Sequence, residues 1–391
     1  MADAPRTAVV VGLGISQTIA WASSYYLLAM LATPMASELG LSVPMVFAAF
    51  TLALIISAFL GPRAGRLIDR HGGRPVLAAT NLLFAAGLSL LALAEGPLSL
   101  YGAWLIIGVA MGAGLYDAAF ASLVRLYGQG ARNAITGITL IAGFASTIGW
   151  PLTALLAQTL GWRGACWGWV VLHLLVALPL NLRLPSATAP VPVAAPSPQP
   201  EPRSEADGTP LMPALLLALV FAVTWFVSTA MAAHLPALLQ TQGLSLGVAL
   251  GVAALVGPAQ VVARLLEFGL MRRLHPLFSA QLATIAHPIG AFCLIAFGGP
   301  AALVFALAHG AGNGILTIAK GTLPLVVFGA HGYGERQGLL MAPARFAQAF
   351  APLLFGLAME HYGGGALWWS AGLGLLAFAA LCLLKKILPR G

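Results

Sequence analysis

The sequence predicts an all-α integral membrane protein with twelve transmembrane helices in two six-helix bundles. Three observations carry this. Of the 391 residues, 60% are hydrophobic and only 8% are Asp, Glu, Lys or Arg, where a soluble domain carries about 25% charged residues. Mean hydropathy is +0.92. Apolar runs of the length that crosses a bilayer, about 20 residues, repeat along the whole chain between short breaks rich in Gly, Pro or charge. Such a composition excludes a cytosolic enzyme, a secreted domain and a nucleic-acid binder, each of which needs far more charged surface.

The spans follow in order. Span 1 (8–35) closes near Thr33-Pro34; it is too long for the apolar core of a signal peptide, and no clear small-residue cleavage pattern follows it. Span 2 (44–68) carries Gly61-Pro62 and runs into a charged loop. Span 3 (75–94) ends at Glu95, and span 4 (98–127) contains Gly112-Ala113-Gly114. Span 5 (131–158) holds Pro151 and is parted from span 6 (163–184) by a turn around Gly161 and Trp162. The stretch 185–210 has eight prolines and few apolar side chains larger than Val, so it is expected to be an extended linker. Spans 7 (211–240) and 8 (246–271) carry Leu235-Pro236 and Gly257-Pro258; span 9 covers 278–298. Span 10 (300–328) repeats the glycines as Gly310-Ala311-Gly312, span 11 (335–360) holds Pro352, and span 12 (363–386) completes the set. Continuous apolar runs argue for helices; a membrane barrel would alternate over strands of about ten residues.

Matched elements recur in the same order at offsets of 196 to 202 residues: Gly61-Pro62 with Gly257-Pro258, Gly112-Ala113-Gly114 with Gly310-Ala311-Gly312, Thr33-Pro34 with Leu235-Pro236, and Pro151 with Pro352. They support a duplication, with an N-terminal bundle at 1–184, a linker at 185–210 and a C-terminal bundle at 211–391. Six plus six in parallel is the plan of transporters that rock two bundles around a central site.

The net charge of +8 sorts by side. Fifteen of the nineteen lysines and arginines fall on one face, Arg163 falls on the other, and Arg264, Lys320 and Arg345 lie inside spans. The opposite loops carry Glu38, Glu95 and Glu360. The positive-inside rule therefore puts both termini in the cytoplasm. Cys166, Cys293 and Cys382 lie in apolar segments, form no disulfide framework and read as small core residues.

After span 2 the chain reads Gly65-Arg66-Leu67-Ile68-Asp69-Arg70-His71-Gly72-Gly73-Arg74-Pro75. Gly65 permits close helix contact, Asp69 can accept hydrogen bonds from a helix N-terminus or an arginine, and Gly72-Gly73 supply a tight turn. The stretch resembles the loop motif G-x-L-x-D-R-x-G-R-R/K of the major facilitator superfamily. There the loop latches the two bundles in the outward-facing state, which implies a conformational latch of Gly65, Asp69, Arg70, Gly72 and Arg74; setting orientation is a second role for its arginines. The stretch 127–149, with Arg132 ahead of a Gly/Ala run, and Gly161-Trp162-Arg163-Gly164 resemble the monocarboxylate transporter and oxalate:formate antiporter branch, although the family's Phe and one arginine are missing. That branch carries an arginine in span 8 with an Asp or Asn one turn before it. Arg264 stands at that position, and Gln260 replaces its partner. The Gly-Pro motif of drug/proton antiporters is broken in span 5, where Gly149-Trp150-Pro151-Leu152 stands.

Ionisable groups inside the membrane mark function by default, since a charge at mid-bilayer costs at least about 2.5–3.5 kcal/mol. Arg264 can grip a carboxylate with two parallel hydrogen bonds, with Gln260 one turn away on the same face to orient it; the bland reading pairs it with Glu267. Lys320 and Arg345 are further buried cations suited to an anion, set against snorkelling for Lys320 and bonds to backbone carbonyls across the bundles for Arg345. Tyr25 or Tyr26 in span 1, which shares a face with Gln17, Trp21 and Ser24, and Trp225 in span 7 are further substrate contacts, set against ordinary helix packing. Asn313 can hydrogen-bond a ligand. Asp117 can carry a coupling proton or form a salt bridge to Arg125 or Lys320; His234 can titrate near neutral pH or simply be bonded in place. His173 and His309 have no supporting feature. No Gly-x-x-x-x-Gly-Lys loop, CxxC or HExxH occurs, so no ATP, metal, cofactor or catalytic constellation is expected.

The expectation is a monomeric secondary transporter in a bacterial inner membrane. It moves a small organic anion, a monocarboxylate, by alternating access, with protons or by exchange. The alternatives are a drug or metabolite efflux proton antiporter and a non-transporting membrane sensor.

Overall fold

The computed structural model describes residues 6–185, 210–269 and 275–388. The expected linker 185–210 lies outside the described residues except for its two ends, as do Arg272 and Arg273. The described chain makes twelve helical passes in two groups of six. Span 1 is α1 (Arg6–Ala22) and α2 (Leu27–Leu39); spans 2 and 3 are α3 (Val43–His71) and α4 (Gly73–Ala92). Span 4 is α5 (Pro97–Gly114) and α6 (Tyr116–Tyr127). Span 5 is α7 (Arg132–Ala142) and the first part of α8 (Ala145–Leu172), which turns at Gly161 into span 6 and ends through a π-helical turn in α9 (Leu178–Leu182). Span 7 is α10 (Leu211–Thr241), and span 8 is α11 (Leu246–Ala254) with α12 (Val256–Gly269). Spans 9 to 12 are α13 (Pro276–Phe297), α14 (Ala302–Phe328), α15 (Tyr333–Tyr362) and α16 (Ala366–Ile387).

Spans 1, 4, 5 and 8 each break along their length, and the residues explain three of these breaks. Pro258 has no N–H for the carbonyl of Ala254, and α11 ends at Ala254. In span 4, Gly112-Ala113-Gly114 gives way to an extended Leu115 (φ −84°, ψ −168°). The carbonyl freed at Gly114 accepts a bond from Gln17 Nε2 at 2.7 Å, as hydrocarbon surroundings require. In span 1, Ser24 Oγ donates to the carbonyl of Ala20 at 2.6 Å, and Ser23 Oγ meets His173 Nε2 at 2.8 Å. Side-chain bonds of this kind compete with the helix ladder. His173 opens the π-helical turn, and its Nδ1 meets Asn81 Oδ1 at 2.9 Å. A histidine without a sequence feature thus ties span 1 to spans 3 and 6.

The Gly161 turn (φ 72°) is clamped. Trp162 Nε1 and Arg163 Nη1 both donate to Glu38 at 2.5 Å, and Arg163 Nη2 donates to the Ala94 carbonyl at 2.6 Å. The one basic residue on its face therefore ties three spans together.

The halves pack alike at their glycines. A Cβ on Gly112 would press on Ser57 of span 2, and one on Gly310 would press on Val256 and Ala259 of span 8. Their cores differ. One continuous buried cluster fills the N-terminal half, from Val9 to Leu184, and reaches across to Leu325, Tyr333 and Ala349. The C-terminal half has two main clusters: one nearer the termini, with Leu217, Phe221, Leu323 and Leu381, and one on the far side, with Met231, Leu294, Phe305 and Phe355.

Replacing Gln17 with Leu leaves the Gly114 carbonyl unsatisfied. A loss of about 1–3 kcal/mol is expected, seen as a lower Tm for the purified protein than for the wild type.

Candidate translocation site between the bundles

The two bundles meet along α3 and α15 on the face that bears the termini. Gly65 and Gly334 touch backbone to backbone: a Cβ on Gly65 would strike the Gly334 carbonyl, and one on Gly334 would lie 2.6 Å from the Gly65 oxygen. That approach brings Asp69 onto the start of α15. Its two carboxylate oxygens accept the N–H groups of Gly334 and Glu335, each at 2.9 Å, where the helix dipole favours an anion. Arg66 adds an ion pair to Glu335 at 2.6 Å. Gly72 (φ 82°) makes the turn into α4, a backbone state that favours glycine. Of the expected latch residues, Gly65 and Asp69 cross the interface and Gly72 shapes the turn. Arg70 and Arg74 are exposed.

Nearer the middle, Asp117 lies in the first turn of α6, directly after the break at Leu115. It pairs across the bundle interface with Lys320 (3.0 Å) and Arg345 (2.6 Å), and Gln337 donates to it at 3.4 Å. Arg125 forms no ion pair with it among the described residues. Arg345 also donates to the Ser57 carbonyl. All three ionic groups are buried: Asp117 is 8% exposed, Lys320 4% and Arg345 6%. Lys320 does not snorkel; its Nζ lies 4.9 Å from the centre of the Trp225 ring and 5.7 Å from that of Tyr116.

These groups line one small cavity with Trp21, Tyr25, Leu54, Met341 and Gln348. Tyr25 donates to Gln348 Oε1 at 2.9 Å. Trp21 lies against Tyr25 (4.6 Å), Tyr26 (6.5 Å) and Tyr116 (5.0 Å). The Trp21 indole N–H is buried without a partner, a donor aimed from an aromatic wall.

Arg264 crosses the other seam. It donates to the Thr139 carbonyl of span 5 (3.2 Å) and, in its own half, to Gln260 Oε1, Thr317 Oγ and the Gly314 carbonyl (3.3 Å each). Glu267 pairs instead with Arg132 at 3.4 Å and accepts from Ser279 at 3.1 Å. Arg264 is 5% exposed, and every acceptor named is neutral. Lys320 and Arg345 thus share Asp117, while Arg264 has no carboxylate among its hydrogen-bond partners.

Among the sequence candidates, Tyr26, Gln260, Arg264, His234 and Asn313 do not line this cavity. His234 sits towards the far side, its ring 5.9 Å from Phe355. Asn313 lines a second cavity inside the C-terminal half. Sequence reasoning missed Gln337, Met341 and Gln348. With Arg345 they follow a four-four-three spacing that puts them on one face of α15, a signal visible in the sequence.

The sequence profile of the Major Facilitator Superfamily matches residues 13–319. The chain belongs to that superfamily of membrane transporters. It is 34% identical over 154 residues to an uncharacterized 38 kDa protein in the 23S RNA operon of Thermoproteus tenax, 39% of this chain and 40% of that one. It is 37% identical over 119 residues to monocarboxylate transporter 3 of Rattus norvegicus, 29% and 24% of the two chains. The matches therefore span less than half of either curated relative. The fold superimposes on the human organic anion transporter MFSD10 (TM-score 0.72, 18% identity, 97% of this chain and 100% of that one). It also superimposes on the proton:xylose symporter XylE (0.77, 14%, 98% and 96%).

Two outcomes are expected. Gly65→Val overfills the helix contact at a cost of about 1–3 kcal/mol. Spin-label distances between the bundles on the termini-bearing face should lengthen, while labels on the far side draw together. Asp117→Asn leaves two buried cations uncompensated and should cost about 3–5 kcal/mol. The double variant Asp117→Asn with Lys320→Gln should recover part of that loss in thermal unfolding.

Proposed function

We propose that the protein is a secondary transporter of a small organic anion, a monocarboxylate, in a bacterial inner membrane with both termini in the cytoplasm. The observation that carries the reading is the charge buried between the bundles, where Lys320 and Arg345 share one carboxylate, Asp117, and Arg264 at the other seam has only neutral acceptors. A low-dielectric cavity with excess positive charge attracts an anion and repels lipophilic cations. Substrate lies between Arg264 with Gln260 on one wall and Lys320 and Arg345 on the other. Tyr25, Tyr26, Trp225 and the free Trp21 N–H supply the aromatic and donor surface, and Asn313 a polar contact beyond it. The bonded latch of Asp69 and Gly65 corresponds to a chain closed to the cytoplasm. The partial likeness to monocarboxylate transporter 3 supports the same substrate class.

Transport proceeds by rocking the bundles about this centre. Closing the other side breaks Asp69 from α15 and separates Asp117 from Lys320 and Arg345, so an anion arriving beside those cations can replace the lost pairing. Energy comes from a proton or from a counter-transported anion. Asp117 and His234 are the carriers marked by sequence.

The test is uptake of formate, acetate and lactate into proteoliposomes. Losing one charge-assisted hydrogen bond is worth about 1.5–3 kcal/mol, so Arg264→Ala should weaken anion binding at least about tenfold. Lys320→Gln, which leaves the Asp117–Arg345 pair in place, should lower uptake similarly. Full transport of every anion by Arg264→Ala, or transport of lipophilic cations in place of anions, would overturn the reading.

A further inference from the structure

The second cavity, a small one, lies inside the C-terminal half between the two layers of its core. It is lined by His287, His309, Thr224, Ser228, Thr284 and Asn313, with no Asp, Glu, Lys or Arg. His287 of α13 and His309 of α14 are 7% and 5% exposed. Their Nδ1 atoms are 3.0 Å apart. His287 Nε2 is buried with no hydrogen-bond partner. Phe305 lies edge-on to His287 at 5.4 Å and stacked on His309 at 6.0 Å.

Two nitrogens at that distance share one hydrogen, so one ring donates through Nδ1–H and the other accepts through its Nδ1 lone pair. The donor ring is then left with a bare lone pair on Nε2. A proton from water can bind there without disturbing the shared bond. A second proton would have to take the Nδ1 lone pair that the bond already uses. The pair therefore holds one proton, not two, and titrates as a unit. The other elements packed on it present no charge to balance that proton: Thr224 and Ser228 face it from α10, Thr284 from α13, and Gly374 from α16. A buried charge without a partner is costly, so an anion close by favours the protonated form.

The helix turn that lines this cavity also serves the central site. Asn313 faces the histidine cavity, while Gly314 and Thr317 hold Arg264, and the Thr317 hydroxyl donates to the Asn313 carbonyl at 2.9 Å. Thr224 and Ser228 flank Trp225, whose ring lines the central cavity. We infer that the His287–His309 pair is a single-proton site of this transporter, loaded together with an anion held beside Arg264. Its role in coupling rests on the anion reading above; the proton site itself does not.

Two measurements separate them. In protein labelled with ¹⁵N-histidine and held in lipid nanodiscs without substrate, NMR should show the two rings taking up one proton between them. His309→Gln should move the His287 midpoint by at least about one pH unit, and His287→Gln should do the reciprocal. Rings that titrate independently, or a midpoint unchanged in both variants, would overturn the site. In weakly buffered detergent, binding of formate, acetate or lactate should take up one proton per anion, and affinity should rise about tenfold per unit fall in pH. His287→Gln and His309→Gln should bind the anion without that uptake. If no monocarboxylate binds the wild type while the rings still titrate as a pair, the anion reading fails and the proton site stands. If anion binds the wild type with no proton uptake, the coupling role fails.

Discussion

One carboxylate held between an ammonium and a guanidinium joins the two halves, all three groups buried. Asp117 pairs with both Lys320 and Arg345, and none of the three could be left alone in this setting, because an uncompensated buried charge costs several kcal/mol. Much of the surrounding structure follows from meeting that demand. The break at Leu115 starts a new helix whose first turn carries Asp117, where the helix dipole favours a negative charge. Gln17 then satisfies the carbonyl exposed by the break. Gln337 bridges the carboxylate and the Lys320 carbonyl, and the Ser57 carbonyl takes a donor of Arg345.

The cations that remain in excess are tolerated by different means. Lys320 points at the faces of Trp225, Tyr116 and Phe120, whose quadrupoles attract a cation most strongly when it is desolvated. Arg264 spreads its donors over neutral acceptors from both halves. Its hydrogen bonds are served while its charge stays unmatched. This arrangement holds a cation rigidly and leaves its field available to a ligand.

The membrane fold was readable because apolar runs and the sorting of charge act over whole helices. The pass order, the Gly161 turn and the close contact at Gly65 follow from residues whose constraint is local. The pairing of Asp117 with Lys320 was open as one of several choices, since partners 203 residues apart in the chain meet only through the packing of the halves. His309 looked featureless because its partner His287 lies on another helix, 22 positions away. Span 8 breaks at Leu255 through its proline, whereas Pro62, its counterpart in the repeat, sits inside the unbroken α3. Local chemistry is the same at both positions, and tertiary contact decides between them.

The division of the C-terminal core has a mechanical side. The N-terminal half is filled by one connected cluster and laced on its far side by Arg163. The C-terminal half is filled in two layers with a polar hollow between them. The C-terminal half therefore has space for side-chain movement at the level of His287 and Asn313, between its two packed layers.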